Sequence, residues 1–322
     1  MLAVTCVSQS ASDPLSGLQV GEHPEPQAPD GWTTVRLRTT ALNHHDIFSL
    51  RGVGLPADRL PMVLGCDGAG VDADGNEVLV HAVVASPGWT GDETLDPRRS
   101  LLSEVHDGTL AEVVAVPRHN LVPKPESLSW EHAACLPTAW LTAYRMLFTN
   151  SGVQPGGTVL VQGSAGGVAT ALVQLGTAAG IRMWVTSRDV AKGEQAVALG
   201  ADRAFESGAR LAERVDAVME TVGAATWSHS VNSLRPGGTI VISGATSGDA
   251  PAKAELTKIF FKQLRVVGST MGSRDELERL ARFVVDAGIE PQVDSVRPLA
   301  RAREGFERML QGTVSGKVVF TL

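Results

Sequence analysis

The chain has 322 residues, of which 43% are hydrophobic, 20% charged and 5% aromatic, with 34 glycines. That composition belongs to a globular protein long enough for two domains, and it excludes a fibre or a disordered tail. A formal net charge of -7 offers no basic face to phosphate backbones or anionic lipid, so neither nucleic acid nor a membrane is an expected partner.

The first residues, "MLAVTCVSQSASDPL", lack a charged segment followed by a sustained apolar run, so no export signal is expected. Three scattered cysteines, Cys6, Cys66 and Cys135, without a C-x-x-C pair, fit a reducing cytoplasm. Of 17 prolines, 13 lie at or before Pro155, and this part also holds the short alternating runs "TVRLRTTAL", "EVLVHAVVA" and "TLAEVVAVP". Period-two patterning between frequent breakers predicts a β-rich domain. After "VPKPESLSW" a helix is predicted, with Ser129 as N-cap and Glu131 in the first turn, where the helix dipole favours an anion. The domain boundary is placed at Lys124. Residues 146–181 carry no Asp, Glu, Lys or Arg, yet Asn150, Pro155 and several glycines interrupt them. A buried strand and helix is expected there, not a membrane span.

From Thr158 the pattern alternates: strand "TVLVQ", helix "GVATALVQLGTAAG", strand "IRMWVTS", helix "VAKGEQAVALG", and a short strand before Ser207. Strand "VDAVMET", helix "WSHSVNSL" and strands "GTIVISG" and "LRVVGS" follow. Such a rhythm predicts a parallel sheet with helices on both faces. In the first helix Val168, Leu172, Leu175 and Ala179 share the face that would pack on the sheet.

The segment "VQGSAGGVA" ends a strand and opens a helix. Gly163, Gly166 and Gly167 let the backbone approach a pyrophosphate, with Ser164, Ala165 and Val168 beside them, and the charge would rest on the N–H groups of the helix start. A dinucleotide site is therefore predicted. At the end of the next strand, Thr186, Ser187 and Arg188 stand where an NAD site would place a carboxylate, and Lys192 follows one turn later. Hydroxyls and cations suit a 2′-phosphate, which makes NADP(H) the expected cofactor; a one-residue shift would instead make Asp189 the NAD-type acid. Ser243, Gly244 and Ala245, in "VISGATSG", are placed along the nicotinamide ribose, although a plain strand-ending turn has the same composition.

These segments, with "ALNHHDIFSLRG", "LGCDGAG", "GTLAEVVAVP", "AACLPTAWLTAYRML", "LGAD", "RPGGTIVISG", "KQLRVVGSTMGSRDEL" and the closing "GKVVF", resemble the medium-chain dehydrogenase/reductase superfamily. The likeness is to its zinc-independent, quinone-oxidoreductase-like (zeta-crystallin-like) branch, and it spans the whole chain. The resemblance implies an α/β protein: a GroES-like β-barrel catalytic domain from residues 1–124 with 287–322, around a Rossmann doubly wound parallel-sheet domain of residues 125–286. It implies coenzyme contacts from Thr138 and Lys317, and a homodimer formed through the last Rossmann strand, from Leu264 to Gly268.

Alcohol dehydrogenases of the superfamily hold catalytic zinc on a Cys, a His and a later Cys. Those positions fall on Asn43, Cys66 and Thr138, and Asn and Thr are poor zinc ligands. No cysteine remains in "GWTGDETLDPRRSLLSEVHDG", where the structural-zinc lobe would lie. No metal is therefore expected, although His45, Cys66 and Asp67 would make an unusual alternative set.

The expected activity is NADPH-dependent hydride transfer to a small electrophile, a quinone or a carbonyl-conjugated alkene. Alternatives are an enoyl-thioester reductase and a non-catalytic NADPH-binding protein. Asn43, in Asn-x-x-Asp, is the expected hydrogen-bond donor to developing negative charge, His45 the expected proton donor, and Asp46 their orienter. Phe48 stands where quinone-reducing relatives often carry a tyrosine. Phe48, Cys66, Trp89, Trp140 and Phe260 are assigned to an apolar substrate pocket, against the alternative that each packs in a core.

Overall fold

In the computed structural model, which describes residues 1–322, the proline-rich first part builds antiparallel sheets. Strand β1 (Leu2–Cys6) lies between β2 (Leu18–Glu22) and the short β4 (Met62–Val63). Strand β3 (Trp32–Ala41) runs into α1 (His44–Leu50). Farther along come β5 (Asp67–Asp72), β6 (Glu77–Val80), the paired β7 (Val83–Val84) and β8 (Ser100–Leu101), then β9 (Val113–Pro117) and β10 (Leu121–Pro123). The run "EVLVHAVVA", read as one strand, is thus two, β6 and β7. Strand β3 alternates between buried and less buried residues over its first half and is wholly buried over its last three, because it pairs with β9 at its start and with β5 along most of its length.

Helix α2 (Trp130–Ala133) begins at Ser129, whose side chain accepts from His132 N, as the sequence predicts. A helical run continues through α3 (Leu141–Tyr144). The second part alternates strand and helix: β11 (Thr158–Val161), α4 (Gly167–Ala178), β12 (Arg182–Ser187), α5 (Val190–Ala198), β13 (Arg203–Glu206), β14 (Val215–Glu220), α6 (Trp227–Ser233), β15 (Leu234–Ile242), α7 (Leu256–Phe261) and β16 (Arg265–Gly268). Its six strands are parallel, in the order β13-β12-β11-β14-β15-β16. This is the doubly wound arrangement the alternation predicts, with the order reversing between β11 and β14. Leu160, Trp184, Val218, Val231 and Ile240 form the centre of its core.

The chain then returns through α8 (Arg274–Asp286), β17 (Val293–Pro298), α9 (Ala302–Leu310) and β18 (Lys317–Thr321). Strand β18 pairs antiparallel with β3, Val319 opposite Ala41, and parallel with β17. The tail therefore completes the sheet begun at Trp32. Gly305 lets α9 sit on that strand, since a Cβ there would lie 2.8 Å from Phe320.

Two compact units result: Met1–Leu141 with Gly272–Leu322, and Thr142–Met271. Their boundaries differ from the expected Lys124 and Asp286 because flanking segments are tied to the β-rich unit. Thr39 Oγ1 donates to Trp130 O at 2.6 Å. Arg274 donates through Nε to His119 O and through Nη2 to Leu121 O, at 3.1 and 3.2 Å. Turn and proline signals mark where elements end; they do not report which core an element joins. No helix is long and apolar enough to cross a membrane.

Candidate functional site

In the parallel-sheet unit, five residues separate the end of β11 from the start of α4. Gly163 adopts φ +95°, a region costly for any residue with a Cβ. A Cβ added at Gly163 or Gly166 would meet nothing within 4 Å, so the space over the turn is open to a ligand. No side chain caps α4 at its N-cap, Gly166; its first-turn N–H groups are of the kind that bind a pyrophosphate. These residues fit a dinucleotide.

Ser187, at the end of β12, is oriented by three bonds. Its hydroxyl donates to Asp189 O at 2.7 Å and accepts from Ser164 Oγ at 3.0 Å and Asp189 N at 3.2 Å. Arg188 is exposed and Lys192 half-buried. The carboxylate of Asp189 accepts from Ala191 N and Lys192 N and so serves as the N-cap of α5. Both bonds go to Oδ1. Thr186 departs from expectation: it is 2% exposed, its hydroxyl donates to Gln162 Oε1 at 2.8 Å, and it accepts Gly163 N–H at 3.1 Å. It braces the turn from beneath and is not a phosphate ligand. Ser243, Gly244 and Ala245 follow β15 at the same, C-terminal edge of the sheet, where ligands of doubly wound folds bind.

The β-rich unit holds a buried polar cluster around the start of α1. Asn43 is the N-cap, and Asp46 completes a capping box by accepting Asn43 N at 2.9 Å. The other oxygen of Asp46 accepts Gly65 N at 2.9 Å. Burial pushes Asp46 up to about 6, although His45 and the Asn43 N–H pull the other way. Lys317, at the start of β18, is 2% exposed. Its ammonium donates to Leu42 O at 2.8 Å and to Asn43 Oδ1 and Asp67 Oδ2, each at 2.7 Å. Asn43 Nδ2 donates to Asp67 Oδ2 at 2.8 Å.

Three expectations change here. An ammonium has three N–H bonds, and all three of Lys317's are taken, so Lys317 is not a coenzyme contact. Asn43 spends its amide oxygen on Lys317 and its Nδ2 on Asp67 at 2.8 Å and Ala41 O at 3.5 Å, so in this structure it braces the cluster. Thr138, 9% exposed, donates to Cys66 O at 3.4 Å and is likewise a brace.

Glu104, which no sequence motif singled out, accepts His45 Nε2 at 2.8 Å. On the other side of the ring, His45 Nδ1 lies 3.6 Å from Cys66 Sγ, and the thiol donates to Leu102 O at 3.4 Å. Burial pulls His45 down, but Cys66, Glu104 and Asp46 outweigh it and hold the imidazole well above its ordinary 6.5. Burial raises the Cys66 thiol in turn. Because the folded value exceeds the unfolded one, the stabilisation by the His45–Glu104 pair is fully present below pH 6.5 and is lost as pH rises through the folded value. Urea unfolding should show wild type more stable than Glu104→Gln near pH 6, with the gap closing toward alkaline pH. A gap that stays constant with pH would refute this account.

The donor set does not fit zinc. Asn43 and Asp67 face an ammonium, Cys66 faces His45 and Leu102 O, and no three His, Cys, Asp or Glu side chains are arranged to hold a metal ion. The alternative set of His45, Cys66 and Asp67 is not assembled either, since Asp67 points to Lys317.

The structure places the five residues assigned to a substrate pocket in different surroundings. Phe48 is one helical turn beyond His45 on α1 and half-buried, and Cys66 touches His45. Trp140 is fully buried in the core. Trp89 lies on a loop, 38% exposed, with Nε1 donating to Asp92 O. Phe260 belongs to the parallel-sheet unit, where it stacks on Phe261 and is 63% exposed.

Residues 29–126 match the alcohol dehydrogenase GroES-like domain, and residues 167–286 match the zinc-binding dehydrogenase domain. A zinc-type alcohol dehydrogenase-like protein of Schizosaccharomyces pombe is 30% identical, covering 96% of this chain and 97% of that protein. An acryloyl-coenzyme A reductase of Metallosphaera sedula is 28% identical over 95% of this chain and 96% of its own length. The crystal structure of an NAD-dependent alcohol dehydrogenase superposes with a TM-score of 0.92, at 34% identity over 100% of both chains. With both domains present in order and relatives aligned nearly end to end, the chain belongs to the medium-chain dehydrogenase/reductase superfamily of oxidoreductases.

Proposed function

We propose that the protein is an NADPH-dependent, metal-independent reductase of quinones or carbonyl-conjugated alkenes. The observation that carries this reading is the Lys317 ammonium bound by Asn43 and Asp67, which commits Asn43 Oδ1 and Asp67 Oδ2 to an internal cation in place of a metal ion. Substrates that are electrophilic without a Lewis acid fit such a site. When bound, NADPH supplies hydride from its nicotinamide C4.

The open turn at Gly163 to Gly167 and the start of α4 would hold the pyrophosphate. Ser187, Arg188 and Lys192 would hold the 2′-phosphate. His45 is the proton donor: Glu104 fixes Nε2, while Nδ1 faces only a sulfur at 3.6 Å. A thiol is a weak acceptor, so a substrate oxygen gaining negative charge would capture Nδ1–H. Among conjugated alkenes, enoyl thioesters are a second reading, supported by the acryloyl-coenzyme A reductase aligned over 95% of the chain.

The test is purified protein assayed with NADPH and NADH against quinones, enones and enoyl-coenzyme A thioesters, with zinc quantified on the same sample. NADPH oxidation by one of these classes, without stoichiometric zinc, is expected. His45→Gln should lower kcat about 100-fold or more. In Glu104→Gln the alkaline limb of kcat should move to lower pH, because the imidazolium loses its partner. Stoichiometric zinc with alcohol oxidation would sink the reading, and NADPH binding without turnover on any acceptor would favour a binding protein.

We also propose a homodimer through β16. That strand is the edge of the sheet, paired only with β15, and the neighbouring Leu256, Phe260, Phe261 and Val266 are 69%, 63%, 75% and 44% exposed. An unpaired edge beside apolar side chains suits pairing with the same strand of a second copy. Phe261→Glu with Val266→Lys should halve the mass seen by sedimentation. A wild-type monomer at micromolar concentration would disprove the assignment.

A further inference from the structure

Beneath the phosphate turn runs a chain of buried polar side chains in which every link donates in the same direction. Gly163 N–H donates to Thr186 Oγ1 at 3.1 Å, and the Thr186 hydroxyl donates to Gln162 Oε1 at 2.8 Å. Gln162 Nε2 donates to Ser230 Oγ and to His229 Nδ1, both at 2.9 Å. Ser230 donates onward to Glu220 Oε2 at 2.6 Å. The Glu220 carboxylate also accepts Val222 N, Gly223 N and Thr226 Oγ1 at 2.8–2.9 Å. His229 donates through Nε2 to Ala209 O at 2.9 Å, which leaves Nδ1 as the acceptor that Gln162 needs.

Burying an amide costs free energy unless its donors and acceptor are met. Gln162 is 1% exposed and Glu220 equally so, and their bonds are satisfied within this network. Hydrogen bonds aligned head to tail onto a carboxylate polarise one another. The chain gathers the end of β11, the end of β12, α6 and the turn after β14. Its first link holds the left-handed Gly163, where the phosphate turn begins.

We propose that Gln162 is a positioning residue for the coenzyme, holding the phosphate turn and the end of β12 as one preformed piece through Thr186. This rests on the dinucleotide reading of that turn. Since a preformed site loses less conformational freedom on binding, loosening the chain weakens coenzyme affinity without altering the reacting groups.

The experiment uses the full-length protein, NADPH and NADH as probes, and temperatures well below thermal unfolding. Gln162→Met and Thr186→Val should each raise the Kd of both coenzymes about tenfold, the loss of one hydrogen bond's free energy, while kcat at saturating coenzyme stays within about twofold. Thr186→Ser, which keeps the hydroxyl, should restore affinity. The double variant Gln162→Met/Thr186→Val should be no worse than either single one, because both break the same chain. A merely structural residue would lower the unfolding temperature and leave Kd unmoved; that result, beside tight wild-type binding, overturns this inference alone. Wild-type protein that binds neither coenzyme overturns the dinucleotide reading and this inference together.

Discussion

Lys317→Met should cost about 3–5 kcal/mol of folding stability, the range for removing one member of a buried ion pair. The cost arises from what is left behind. Asp67 is 0% exposed and its Oδ1 already lacks a partner, so loss of the ammonium strands a carboxylate in the interior. Leu42 O and Asn43 Oδ1 lose their donor as well. Because Lys317 begins the strand that closes the sheet against β3, the whole β-rich unit should be weakened. Lys317→Met combined with Asp67→Asn should recover much of the loss, since the second change removes the stranded charge. Urea unfolding of the two single variants and the double variant makes the comparison; a loss under 1 kcal/mol for Lys317→Met would show that Asp67 is not held by this bond.

Arg188→Ala with Lys192→Ala should raise the KM for NADPH by about 10- to 100-fold and leave the KM for NADH within about twofold. Hydrogen bonds from a cation to a phosphate contribute about 1.5–3 kcal/mol, and NADH lacks the phosphate that these residues would meet. Steady-state kinetics with both coenzymes decides it. Equal losses for the two would move the cations away from the 2′-phosphate, and a wild-type preference for NADH would return Asp189 to the role its position first suggested. Such a preference would agree with the NAD-dependent alcohol dehydrogenase of similar structure.

The glycine turn illustrates what could be read in advance. Gly163, Gly166 and Gly167 between an apolar run and a helical one are enough to foresee the strand, the turn and the helix, since each signal acts over a few residues. The Ser129 cap and the alternation from β11 to β16 are of the same kind, and their observed bounds fall close to those read from periodicity. "EVLVHAVVA" shows the limit: its alternation continues across a break that only the pairing partners reveal. Aromatic side chains show another, because Trp140 in the core and Phe260 on the surface have the same apparent suitability for a pocket when burial is unknown.

By itself the sequence determined the α/β alternation and the glycine turn between strand and helix, which follow from residue type and short-range spacing; the split β-rich domain and the zinc-ligand positions at Asn43 and Thr138 came with the family resemblance. Only the tertiary structure decided the partners of the buried polar groups: Lys317 with Asn43 across 274 positions and with Asp67 across 250, Gln162 with Ser230 across 68, and His45 with Glu104 across 59. A charged or amide side chain in a sequence announces a need for partners, but which ones it meets depends on how distant strands and helices pack, and local patterns carry no record of that.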